Sequence, residues 1–212
     1  MLSVKPNRAN FGPVVELGGH GGRSKAVKVV LFNPKNRRQN TSIQIEAIEP
    51  SDGQFQVQPN SCVGALAPGG KCSVAVVFSP IGSGSRSGSL IITDNTATHQ
   101  HSVTLKGTGK QGLLSYRPKS LNFGKVPLHL ISVKTVTLKN PNPVEMSLGT
   151  ISVDNHDFSL GGTCGNSLAA ASSCTIQVIF TPSQTQKETG TITIPDNAVG
   201  NAHKVKLTGS GK

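Results

Sequence analysis

Apolar and polar positions alternate with a period of two along most of the chain, the pattern of β-strands with one buried face. In the second half, Val136 and Leu138 alternate with Thr135, Thr137 and Lys139, and Ile176, Val178 and Phe180 with Thr175 and Gln177. Ile192 and Ile194 then alternate with Thr191 and Thr193, and Val205 and Leu207 with Lys204 and Lys206. The first half carries the same phases, in Val29 and Leu31, Val74, Val76 and Phe78, Leu90 and Ile92, and Val103 and Leu105. A slip of one residue turns a whole strand inside out, so agreement of phase in two copies fixes the buried set. Turn residues fall between the runs. Asn33-Pro34 and Asn140-Pro141, Ser79-Pro80 and Thr181-Pro182, and Asp94-Asn95 and Asp196-Asn197 each end a strand or open a connection.

These correspondences are an internal repeat. Ser3–Gly12 aligns with Ser115–Gly124, Cys62–Pro80 with Cys164–Pro182, and Gly88–Gly109 with Gly190–Gly211. The offset falls from 112 to 102, so the first copy carries ten additional residues, which belong in loops. Short strands separated by turn signals predict an all-β chain of two tandem immunoglobulin-like β-sandwich domains, at residues 1–110 and 111–212. With no Trp and a single Tyr, each core is expected to be aliphatic around Phe11, Phe55 and Phe78, or Phe123, Phe158 and Phe180.

Composition agrees with that class. Within 212 residues, 24 Gly and 13 Pro are too many for a helical bundle, while an apolar fraction of 35% still builds modest cores. No apolar run approaches the ~20 residues of a membrane helix, and the first dozen residues hold no export signal. The net charge is +11, with 12 basic and 5 acidic residues in the first repeat against 9 and 5 in the second.

The motifs carry a resemblance. The second repeat has Leu121-Asn122-Phe123-Gly124, then Cys164, Leu168-Ala169 and Cys174, then Phe180-Thr181-Pro182, Gly190, Asp196-Asn197 and a Val205-x-Leu207-x-Gly209-x-Gly211 ending, with equivalents in the first. This set resembles the bacterial choice-of-anchor D repeat, a relative of the ASH (abnormal spindle–hydin) domains. The resemblance implies PapD-like and major-sperm-protein-like sandwiches that serve as adhesive, spacing or assembly modules, without catalysis or cofactor.

Cys62 and Cys72, like Cys164 and Cys174, flank nine residues just before a core strand. A local disulfide fits that spacing; buried free thiols are the rival reading, and the C-x2-4-C knuckles of zinc sites are missing. Disulfides call for an oxidising compartment, which makes the chain a segment of a longer exported protein. Basic residues Arg23, Lys25, Lys28, Lys35, Arg37 and Arg38 bracket one strand and its following loop, a candidate site for a protein partner or a surface polyanion. No aromatic residue is expected to interleave with these cations, which argues against nucleic acid, and lysines guarding sheet edges are the plainer account of the charge.

Catalytic constellations are not visible. His99 and His101 are expected on one solvated strand face, and the Gly18–Gly22 insert, which carries His20, as a flexible connector without the phosphate-loop pattern. No metal site, small-molecule substrate or cofactor is therefore expected. The expected function is a non-enzymatic structural and adhesive segment of a larger cell-surface or secreted protein, acting as spacer and protein-interaction module. The alternative is a cytoplasmic ASH-type docking module for cytoskeletal, ciliary or centrosomal assemblies, using the basic face.

Overall fold

The computed structural model describes residues 1–17, 20–35 and 40–212, with His20 and Gly21 described by backbone alone. The chain separates into two compact units, Met1–Lys110 and Gln111–Lys212.

In the first unit the strands are β1 (Ser3–Lys5), β2 (Arg8–Leu17), β3 (His20–Gly21), β4 (Val27–Phe32), β5 (Ile43–Pro50), β6 (Phe55–Val57), β7 (Gly64–Leu66), β8 (Lys71–Phe78), β9 (Gly84–Asp94) and β10 (Gln100–Gln111). They form two sheets, ordered β1-β4-β8-β6 and β3-β2-β10-β9-β5-β7. The second unit contains β11 (Ser115–Arg117), β12 (Ser120–Val126), β13 (Ser132–Lys139), β14 (Met146–Ser147), β15 (Ser152–Val153), β16 (Phe158–Gly162), β17 (Ser167–Leu168), β18 (Ser173–Phe180), β19 (Lys187–Pro195) and β20 (Ala202–Gly211). Its sheets run β11-β13-β18-β16 and β12-β20-β19-β15, with β14 and β17 as a separate pair. Both units are immunoglobulin-like β-sandwiches.

The periodicity places the core. Val29, Leu31, Val74, Val76, Phe78, Leu90, Ile92, Val103 and Leu105 are fully buried, and their counterparts in the second unit are at most 2% exposed. Three rings centre each core. Phe55 and Phe78 stack at 4.9 Å with Phe11 tilted against both, and Phe158 and Phe180 stack at 4.7 Å with Phe123 in the same role. The last strand of each sandwich passes flat over a ring. A Cβ on Gly107 would lie 2.5 Å from Phe78, and one on Gly209 would lie 2.5 Å from Phe180, so only glycine fits.

The opening strand of each unit crosses between sheets. β1 and β11 pair with β4 and β13, cis Lys5–Pro6 and cis Arg117–Pro118 follow, and β2 and β12 then join the opposite sheet. β12 runs parallel to β20 and its register shifts between Asn122 and Lys125. Gly124 sits in that shift at φ 66°, and its N–H donates to Asn122 Oδ1 at 2.9 Å. Gly12 and Asn10 repeat the arrangement at 3.0 Å, which is the physical content of the Asn-Phe-Gly motif.

The units differ where the second sheet ends. β5 is continuous, whereas β14 and β15 are separated by Leu148–Ile151. Pro195 stands where the first repeat has Thr93. Its carbonyl accepts from Gly149 N–H at 2.8 Å, so its nitrogen, which carries no hydrogen, faces the same neighbour and the ladder breaks.

One expectation needs correction here. Part of the glycine-rich insert is not a free connector. His20 and Gly21 pair with Leu17 and Glu16, extending β2 as a hairpin, while Gly18 and Gly19 lie outside the described residues. Asn33 and Asn140 follow the ends of their strands as the turn signal implies, and both are fully buried. Asn140 Nδ2 donates to the carbonyls of Val144, Leu168 and Ala169, and Asn33 Nδ2 to those of Thr41 and Leu66. Each amide thus ties the end of one core strand to the cystine-bearing loop.

Candidate functional site

Cys62 is bonded to Cys72 with Cα atoms 5.5 Å apart, and Cys164 to Cys174 at 5.1 Å. In each unit the second cysteine lies near the start of a central strand of the sheet that begins with β1 or β11, in β8 or β18, opposite Leu31 or Leu138. Cys62 and Cys174 are buried. The bridges staple a surface loop to that strand, and none of the four sulfurs is a free thiol.

The basic residues lie around the outer face of β1-β4-β8-β6. Pairing sets Lys5 opposite Val30, Phe32 opposite Lys71, and Lys28 opposite Ala75, all on the side away from the core residues Val29 and Leu31. Lys5, Lys28 and Lys71 are exposed, and no acidic residue occurs in these four strands. Arg23 is exposed at one end, its Nη2 donating to Gln56 Oε1 on β6 at 2.6 Å. Lys25 is exposed just before β4. Lys35 is exposed beyond the other end, its Cβ beside the turn at Gly69. Arg37 and Arg38 lie outside the described residues. Thus of the described cations singled out in the sequence only Lys28 stands on the sheet itself, and the structure adds Lys5 and Lys71.

An aromatic ring does occur among these cations. Phe32, half-buried on this face, has Lys71 Nζ 5.1 Å from its centroid. The ammonium covers the ring, a cation–π contact. The expectation that no aromatic interleaves with the basic residues is overturned by cross-strand pairing.

The histidines also differ from expectation. His99 is not on a strand: it turns with φ 50°, ahead of β10. His101 faces inward, its Nε2 3.0 Å from Asp94 Oδ2 in an off-axis approach, and its side chain is only 12% exposed. Asp94 Oδ1 accepts from Thr96 N–H at 2.7 Å. The second unit repeats the clamp, with His203 Nδ1 2.7 Å from Asp196 Oδ2 and Asp196 Oδ1 accepting from Ala198 N–H at 2.8 Å. Asp-x6-His at the same offset in both copies was the available signal. These pairs link the two arms of a hairpin turn.

A polar concavity on the second unit is lined by Asp154, Asn155, His156, Thr189, Thr191 and Lys206. Two of its side chains bond within the fold: Asp154 Oδ1 takes Thr191 N–H at 2.6 Å, and Asn155 Nδ2 donates to Glu188 Oε2 at 3.0 Å. Among the described residues no cluster of three metal-ligating side chains forms, and no helix is long and apolar enough to cross a membrane.

Residues 2–108 match the family model described as HYDIN/CFA65/VesB-like, Ig-like domain. The chain belongs to that family. Residues 111–204 match the ASH model, abnormal spindle-like microcephaly-associated, ASPM-SPD-2-Hydin, so both halves of this HYDIN-like chain fall in the ASH group. No curated protein matches it in sequence. Among solved structures, a protein of unknown function from Porphyromonas gingivalis W83 is 11% identical, with 99% of each chain covered and a TM-score of 0.43. The ASH/PapD-like domain of human CEP192 is 13% identical over 47% of this chain and 84% of that one, at a TM-score of 0.39. The secreted serine protease VesC from Vibrio cholerae is 13% identical over 85% of this chain and 46% of that one, at 0.40. ASH and HYDIN-like immunoglobulin domains are interaction or structural modules, typically without catalysis.

Proposed function

We propose that residues 1–110 and 111–212 are two ASH-type repeats of a larger cell-surface or secreted protein, of the bacterial choice-of-anchor D kind, acting as a non-enzymatic spacer and adhesive segment. The observation that carries this reading is the pair of cystines, one inside each unit. Reducing compartments keep such thiols open, and small exported domains use bridges to supplement modest cores. Arg23, Lys25, Lys28 and Lys35, joined by Lys5 and Lys71, are the docking face for a protein partner or a surface polyanion.

The test is thiol state. Protein from its native compartment, denatured and alkylated without reductant, is expected to take up no label, and four labels after reduction. A chain-entropy estimate for ten-residue loops makes each bridge worth roughly 2.7 kcal/mol, so reduction lowers each unit's melting temperature by about 10–20 °C. Four labels before reduction overturn the exported reading and favour intracellular docking.

A further inference from the structure

We propose that the outer face of β1-β4-β8-β6 binds a linear polysaccharide carrying sulfate or carboxylate groups. The inference deepens the docking role given to that face above and rests on it.

Three observations carry it. First, the charge is positional. The four strands hold Lys5, Lys28 and Lys71 and no acid, whereas on the opposite sheet the exposed Glu46 and Glu49 of β5 offset Lys106 and Lys110 of β10. The scaffold itself does not demand these lysines. In the second unit the places of Lys28 and Lys71 are taken by Thr135 and Ser173; Lys5 has a cationic counterpart in Arg117, and Lys139 stands where the first unit has Phe32, so the equivalent sheet is basic in a different pattern. Second, the cations are staggered along the strand direction, Lys5 and Lys71 falling on opposite sides of the strand that carries Lys28. At ~3.4 Å per residue and ~4.8 Å between strands, the Cα atoms of Lys5, Lys28 and Lys71 stand roughly 8–14 Å apart. Arg23 and Lys35 continue the array past either end of the sheet. Such spacings suit a chain bearing one or two charges per disaccharide. Third, among the apolar Val30, Phe32 and Ala75 that pair with the lysines, the face also carries Ser3, Ser73 and Gln56, the last already bonded to Arg23, as hydrogen-bonding side chains for sugar hydroxyls.

The same face lacks what other polyanions use. Its one ring, Phe32, is half-buried with Lys71 Nζ over it, so a base would have to displace that ammonium to stack. None of the large exposed apolar residues of the unit, Met1, Val63 and Ile81, belongs to it, so it has no anchor for a lipid surface.

The experiment uses the full chain with its cystines intact and measures binding to heparin, polygalacturonate, neutral dextran and duplex DNA across a salt series. The expected result is binding to heparin or polygalacturonate and none to dextran. The slope of log affinity against log salt is expected to fall by ~2–3 in a Lys5→Gln, Lys28→Gln, Lys71→Gln variant, since each lost cation removes roughly 0.7–0.9. An Arg8→Gln, Lys106→Gln, Lys110→Gln variant, which loses the same charge from the other sheet, is expected to bind as the parent does. Lys→Arg at the three proposed positions is expected to retain binding, which excludes a folding defect. Equal loss in both triple variants overturns the proposal in favour of diffuse attraction. Tighter binding to DNA than to either polysaccharide assigns the face to nucleic acid, and absence of all polyanion binding removes the site. Thiol state is read on the same sample, so an error about compartment is separable from an error about ligand.

Discussion

Gly209→Ala is a sharp test of the core as described. The added methyl would lie 2.5 Å from Phe180 Cε1, 2.8 Å from Cζ and 2.9 Å from Cδ1, against the ~3.5–4.0 Å at which carbons rest. Phe180 has no escape, because it is fully buried and stacked on Phe158 at 4.7 Å. Overpacking of this kind costs up to about 3 kcal/mol. The smaller freedom of alanine in the unfolded chain returns ~0.4–1 kcal/mol, since Gly209 is not in the left-handed region. The net loss of ~2 kcal/mol lowers the urea midpoint by roughly 1.3 M at a slope of ~1.5 kcal/mol/M. The assay is tyrosine fluorescence. Tyr116 is the sole Tyr in a chain without Trp, and it sits in the second unit with its ring 5.1 Å from that of His203, so the signal reports that unit alone. In a Phe180→Leu background the clash disappears and Gly209→Ala is expected to be near neutral. A midpoint shift under ~0.3 M, or the same shift in both backgrounds, refutes the reasoning.

Asn140→Ala takes the amide donor from the buried Leu168 carbonyl and the part-buried Val144 carbonyl, while Ala169 keeps Ser172; a loss of about 2 kcal/mol corresponds to a melting temperature lower by ~8–16 °C. Asn140→Asp should be no better, because a carboxylate cannot donate to carbonyls; a normal melting curve for it contradicts the assigned geometry. Asp196→Ala, which loses both the turn N–H of Ala198 and His203, should cost about 2 kcal/mol, and His203→Ala about 1 kcal/mol. A double-mutant cycle should give coupling near 1 kcal/mol, and zero coupling means that the 2.7 Å contact contributes nothing.

What could be read beforehand was whatever repeats locally. The buried faces follow from period-two alternation because strand geometry sends neighbouring side chains to opposite sides, and duplication checks the phase independently. The cystines were readable for a similar reason, both partners lying within one short loop. Other features depend on which strands become neighbours. Lys5 and Lys71 are far apart in the chain and meet only because β4 pairs with both β1 and β8. Phe32 lies between Lys28 and Lys35 in the chain, yet the cation that stands over its ring, Lys71, comes from across the sheet. Asn33 and Asn140 carry the composition of a turn, and nothing local reveals that their amides are swallowed by the fold to hold a distant loop. His101 shares the inward phase of Val103 and Leu105, so the alternation already pointed it inside, and the unread part was its partner Asp94 across the hairpin.

The parallel pairing of β12 with β20 has a mechanical consequence. These are nearly the first and last strands of the unit, and running the same way means that its two ends leave in opposite directions along one seam. A pull applied through the chain therefore shears that seam, straining its hydrogen bonds together, instead of peeling them apart one by one. A link with that geometry yields late under load, which suits a module that must hold something at a distance.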